Sequence, residues 1–335
     1  MRGNSDQIVV INSLRGFAAL SVCFYHFVII TTLYWNDQNV IDVFEYGRKG
    51  IHVFFIISGI VIPLSMIRSN YKVNLFGKYL LRRFVRIEPP YLAAVVLGVI
   101  YLHVRNFIPS AADVDLVPSF MDIVLHVGYL IPFVEGANWI NPVFWTLSIE
   151  FQYYIFLALL FPLALSNKLV LRLIFYALII GLPFLFTNNN FFFGWSSFFG
   201  LGIFYALFIS KKYTLTEFII VMLICSIAVY MHKGLLDLSI AFATLLVIHL
   251  FPKFETKVGS FMGDISYSLY LLHTIVGVSF INFISVWISS PIEKFLVVAI
   301  ALFISIVSAY AFWRLIEKPS QLASRKIKLK EVGKT

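Results

Sequence analysis

The stretch Ile11-Asn-Ser-Leu-Arg15-Gly-Phe-Ala-Ala-Leu-Ser-Val-Cys-Phe-Tyr-His26-Phe27 decides the fold. It is apolar apart from a few small polar residues, an arginine and a histidine. Apolar sequence continues beyond both ends, so it reads as a membrane helix. A charged side chain near the bilayer centre costs about 2.5–3.5 kcal/mol on insertion scales, and such residues mark functional sites by default. At ~1.5 Å rise per residue, Arg15 and His26 stand roughly 16 Å apart along the axis. They lie at different depths, so chemistry built on them reaches towards both faces.

The rest of the chain is of the same kind. Of its 335 residues 60% are hydrophobic and only 13% are charged, and the mean hydropathy is +0.88. A soluble domain carries about 25% charged residues. The 35 Phe and 17 Tyr suit lipid-facing and interfacial positions. Met1 to Asp6 is not expected to open a signal peptide, because the apolar run behind it is too long and lacks a small-residue cleavage site. Cys23 and Cys225 fall in apolar helices and read as small hydrophobes. No HExxH or CxxC spacing suggests a metal site.

Apolar runs of spanning length are expected at 9–33, 51–67, 87–104, 142–165, 169–186, 191–209, 215–231, 235–251, 264–288 and 293–314. The expected fold is therefore all-α, a polytopic membrane helix bundle of about ten transmembrane helices. Of 26 Lys and Arg, twenty fall on one side of this topology and five on the other, with Arg15 inside a span. The positive-inside rule puts the basic side and both termini in the cytoplasm. The net charge of +9 thus follows topology and does not call for nucleic acid. Residues 120–134 are apolar but short, with Asp122 and His126. They read as an interfacial or re-entrant part of a long external loop from 105 to 140 that carries Asp113, Asp115 and Glu135.

Five places offer chemistry. His26 is the candidate general base, since an imidazole titrates near working pH. Glu150, in Trp145-Thr-Leu-Ser148-Ile-Glu150, is expected near His26 in depth, neutralising Arg15 or orienting His26. Tyr270 and His273 extend a polar helix face from Ser266 and Tyr267. Lys78-Tyr-Leu-Leu-Arg82-Arg83-Phe-Val-Arg86 presents arginine forks suited to phosphate, and Pro89-Pro90 after it is expected to start the next helix. Ser58-Gly59 and Gly200-Leu-Gly202 read as close helix packing.

In order and spacing these stretches resemble the acyltransferase-3 family of integral membrane acyltransferases. The resemblance rests on Arg15 and His26, on Phe54-Phe-Ile-Ile-Ser-Gly59 (with Ile60 where the family has Phe), and on Arg82, Arg83, Arg86, Ile87, Pro89 and Tyr91. It continues through Trp145 to Glu150 and Ser266 to His273, and closes with Glu317 and Pro319.

That resemblance implies acetyl transfer from cytoplasmic acetyl-CoA, a co-substrate, to a hydroxyl of a cell-envelope carbohydrate outside. It suggests the short O-antigen O-acetyltransferase type without a C-terminal esterase-like domain, in a bacterial inner membrane. The expected catalytic residues are His26, Glu150 and Arg15. Arg82, Arg83 and Arg86 would bind the donor, and Trp145, Ser148, Tyr270 and His273 the acceptor. Expected partners are acyl-CoA, a lipid-linked or polymeric glycan and membrane lipids. Residues 1–320 would form the membrane domain and 321–335 a basic cytoplasmic tail. The alternative reading is an ion-coupled transporter or flippase of a lipid-linked sugar, but no paired repeat is visible.

Overall fold

The structure, a computed structural model, describes residues 8–31, 35–105, 117–186 and 188–329. Asp113 and Asp115 of the long loop, and Lys330 and Lys334 of the tail, lie outside the described residues. Those described form a helical bundle without strands. Eight helices are long and apolar enough to cross a membrane. Two features raise the number of crossings towards the expected ten. Helix α7 (Leu169–Leu185) is apolar but shorter, at 17 residues. Helix α9 (Leu215–Leu250) is broken at Gly234, whose φ of 84° and ψ of 176° suit glycine alone. Both arms of α9 meet one end of α8 (Ser196–Ile209): Phe218 stacks on Phe208, and Tyr205 lies 3.2 Å from His249. The chain therefore turns back at Gly234 and makes a hairpin.

One end of the bundle gathers the start of α1 (Val10–Tyr25), the end of α9 and the end of α3 (Gly50–Arg68). Val9 N–H donates to the Pro252 carbonyl there, at 2.8 Å. Arg68 and Arg325 stand at the same end, which is called the basic end below.

With lipid outside, helices associate through close packing of small residues. The clearest case joins α3 to α8. A Cβ on Gly59 would stand 2.4 Å from the Phe199 carbonyl oxygen, and one on Gly202 would stand 2.5 Å from that of Ile56. The expected packing role of both glycines is thus observed.

Helix α4 corrects the expectation at the double proline. It runs unbroken from Phe76 to Arg105, so Pro89 and Pro90 lie inside it, on the same helix as the arginine cluster. Prolines withhold two backbone donors, and the neighbouring Ile87 carbonyl accepts from the Tyr267 hydroxyl at 3.0 Å. Helix α14 (Lys318–Lys326) packs on α4 and carries the chain past residue 320, where a tail was expected to begin.

The 120–134 segment folds into the end opposite the basic one. Helix α5 (Phe120–His126) opens with a capping box between Ser119 and Asp122. His126 Nδ1 donates to the Asp122 carbonyl at 2.6 Å, and its Nε2 accepts from Ile140 N–H at 3.2 Å. Tyr129, in the left-handed region at φ 62°, stacks between Tyr91 of α4 and Phe151 of α6 (Trp145–Ala164). The segment packs on the upper bundle through Leu125, His126, Tyr129 and Ile131, leaves Phe120, Met121 and Phe133 exposed, and does not cross the bundle.

Candidate active site

Two helices rise from the basic end side by side. Helix α1 carries Arg15 and leads to His26. Helix α11 (Ser266–His273), reached through α10 (Lys257–Asp264), leads to His273. Their lower ends are joined by Asn12, whose amide donates to the Ser260 carbonyl and to Asp264, both at 3.0 Å. At their upper ends His273 Nε2 lies 3.2 Å from His26 Nδ1. Each Nδ1 also faces a backbone carbonyl one turn below: Val22 for His26 at 2.8 Å, Leu269 for His273 at 3.1 Å. A carbonyl only accepts, so both Nδ1 atoms carry hydrogen. The single hydrogen on His26 Nδ1 is shared between the Val22 carbonyl, the shorter contact, and His273 Nε2, and His26 Nε2 keeps a bare lone pair. Both rings are buried.

Below the pair, a cavity of about 570 Å³ opens towards the basic end. Five arginines line it: Arg15, Arg68, Arg83, Arg86 and Arg325. Arg83 is buried, its guanidinium 5.4 Å from the ring centres of both Tyr79 and Tyr154. Glu150 accepts from Ser58 Oγ at 2.9 Å and from the Tyr154 hydroxyl at 2.6 Å. Glu317 accepts from Ser268 Oγ at 2.6 Å and Gln321 at 2.7 Å, with Arg15 and Arg86 in electrostatic reach. A side chamber of about 130 Å³ is lined by Arg82, Arg83, Arg86 and Arg325. The main cavity ends upward at Ile51, Phe54, Thr146, Leu147 and Tyr270.

Comparison with known proteins adds identity to this geometry. A family profile described as an acyltransferase domain, of the acyltransferase-3 type, matches residues 8–314. The chain belongs to the acyltransferase-3 family. It is also similar to a protein named "Putative acetyltransferase ORF330" from Acidianus two-tailed virus. The two are 28% identical over 302 residues, which cover 82% of this chain and 84% of that one. No solved structure matches the chain.

Within this acyltransferase the expected residues separate into groups. Arg15, Arg83, Arg86, Glu150 and Tyr270 share the cavity, and Arg82 lines its side chamber. His26 and His273 pair above it. Glu150 Oε1 accepts from Ser58 and Tyr154 and does not meet His26, one of the two roles expected of it, whereas it does share the cavity with Arg15; His26 Nδ1 faces the Val22 carbonyl and His273 instead. Ser148 is buried and engaged in structure, donating to the Tyr129 carbonyl at 3.3 Å and accepting from Gln152. Trp145 faces Trp195 with ring centres 6.1 Å apart and is not part of the cavity wall.

Several residues of the site were not singled out from sequence. Tyr154 and Arg325 lie on helix faces that only packing identifies. Glu317, by contrast, was named in the sequence among the residues that carry the family resemblance, without a role. Glu88 of α4 is a further buried carboxylate. It faces the Tyr129 hydroxyl and the Gly128 amide, yet no hydrogen bond of ordinary geometry closes on either oxygen.

Proposed function

We propose that this acyltransferase is an O-acetyltransferase. It moves an acetyl group from cytoplasmic acetyl-CoA to a hydroxyl of a cell-envelope carbohydrate, of the O-antigen kind, on the far side of a bacterial inner membrane. The observation that carries this reading is the alignment of an arginine-lined cavity, open at the basic end, with a buried histidine pair beyond its closed end. By the positive-inside rule the basic end faces the cytoplasm, with both termini.

In this reading the phosphates of CoA dock on Arg82, Arg83, Arg86 and Arg325, because guanidinium forks match phosphate oxygens in pairs. Arg15, deeper in the cavity, positions the thioester arm. Glu150 and Glu317 balance part of the arginine charge and keep those side chains in place. The acceptor approaches from the opposite end.

The histidine pair supplies the chemistry. His26 Nε2 removes the proton of the acceptor hydroxyl, and the hydroxyl oxygen attacks the thioester carbonyl. The positive charge formed on His26 is shared through its Nδ1–H with His273 Nε2. The tetrahedral adduct collapses with cleavage of the C–S bond, and the departing sulfur takes the proton from His26. The same lone pair also permits a two-step course through an acetyl-histidine, and either course balances.

The test is transfer of labelled acetyl from acetyl-CoA by purified protein to a panel of envelope glycans. Labelled ester on a glycan is the expected result. Binding of glycan with no acetyl transfer to any acceptor would contradict the assignment and favour sugar transport.

A further inference from the structure

We propose that Phe54 and Tyr270 form an acyl-length stop that restricts the donor to acetyl or a similarly short acyl group. The inference rests on the reading of the cavity as the acyl-CoA site.

Both residues line the upper end of the cavity, and neither histidine does. Their ring centres are 5.9 Å apart in an edge-to-face contact. Tyr270 lines the cavity and also neighbours the pair. Its ring centre is 5.9 Å from that of His273, which is 4.9 Å from that of His26. The barrier between donor cavity and imidazole is therefore one aromatic layer thick.

The two rings are held differently. The Tyr270 hydroxyl lies 3.1 Å from the Val143 carbonyl and 2.7 Å from Thr146 Oγ1, itself 3.0 Å from that carbonyl, and the two hydroxyl hydrogens serve two of these three contacts at a time. Moving Tyr270 breaks that closed set. Phe54 has only apolar contacts and is partly buried, and it packs against all three apolar clusters of the bundle. Phe54 is the ring that can yield.

Behind it there is little to yield into. Cys23, Phe27, Leu269 and His273 are fully buried, and a protein interior is packed as densely as an organic crystal. An acyl carbon brought to His26 thus carries its tail into space that only a shift of Phe54 provides. A methyl group fits such a shift. Each further methylene asks for a larger shift, and one methylene too many typically costs about 10–200-fold in discrimination.

The experiment measures CoA thiol release from acetyl-, butyryl- and octanoyl-CoA, in membranes carrying the full chain with Phe54 intact or changed. Rate ratios within one variant do not depend on how much of it folds. The intact protein should prefer acetyl-CoA to butyryl-CoA by roughly 10-fold or more. Phe54→Ala should bring that ratio below about 3-fold, and Phe54→Leu should fall between. Phe54→Trp should slow even acetyl release. Equal rates on acetyl- and butyryl-CoA in the intact protein, or an unchanged ratio in Phe54→Ala and Phe54→Leu, would overturn the length stop alone. Release from none of the three donors would overturn the acyl-CoA reading, and the stop with it.

Discussion

His273 Nε2 lies 3.2 Å from His26 Nδ1 and shares that atom's one hydrogen with the Val22 carbonyl at 2.8 Å. The backbone carbonyls of Val22 and Leu269 set both tautomers, so the free lone pair belongs to His26 Nε2. His273 takes the place that a carboxylate holds in a catalytic triad.

Removing His273 should therefore slow the chemical step without touching the donor site. His273→Ala is expected to lower kcat by about 10²-fold or more, within the range of acid–base contributions. The KM for acetyl-CoA should stay within two-fold. A steady-state series on the purified variant measures both, and a KM effect with kcat preserved would make His273 a packing residue.

The cavity arginines should govern donor affinity. A hydrogen bond to a charged group contributes about 1.5–3 kcal/mol, so Arg86→Ala and Arg325→Ala should each weaken CoA binding by roughly 10- to 100-fold. Calorimetric titration with CoA checks this. The loss should be greatest at low salt, because Arg325 at the cavity mouth is open to screening.

Gly234 makes the hairpin of α9. An added Cβ would meet nothing within 4 Å, so any cost of Gly234→Ala is conformational. A non-glycine residue at its φ of 84° and ψ of 176° is strained by about 1–3 kcal/mol. Thermal unfolding in detergent should show a Tm several degrees lower, with the donor affinity of the folded fraction unchanged.

Asp237 follows that turn and ties it to the top of α3. Lys49 pairs with one carboxylate oxygen, and His52 Nε2 lies 3.2 Å from the other. All three side chains are largely buried. Asp237→Asn leaves Lys49 without its charge partner, which should destabilise the fold by about 1–3 kcal/mol. The same unfolding assay reads it.

The 120–134 segment should be sensitive to acid. Burial pushes the His126 imidazole below its usual range, and the hydrogen bonds fit only the neutral ring, since Ile140 N–H donates to a bare Nε2. The unfolded chain binds the proton more readily, so stability from this group is present above the ordinary histidine value, near pH 6.5. It is lost as pH falls below that towards the folded value. The protection of the Ile140 amide against hydrogen exchange, taken relative to the intrinsic rate at each pH, should fall as pH drops below 6.5, and His126→Gln should flatten that dependence.

Much of this was legible in the sequence. The crossings follow from apolar run length, and the break in α9 falls at its one glycine between two such runs. His26 and His273 were each identifiable as polar residues inside spans. Their meeting was not, because it depends on α1 and α11 rising in parallel across 247 residues of separation. The neighbours of Glu150 were not legible for the same reason: depth along a helix does not say which neighbour its face meets, and Ser58 and Tyr154 bond one of its oxygens. The double proline misled because the proline signal is local, whereas α4 is held through it by packing on α6, α11 and α14.

The most direct test of the account is CoA thiol release by His26→Ala under conditions where the intact protein turns over. The variant should bind acetyl-CoA normally yet release thiol at least about 10²-fold more slowly. Thiol release within a few-fold of the intact protein would contradict the assignment of His26 as the group that carries the reaction.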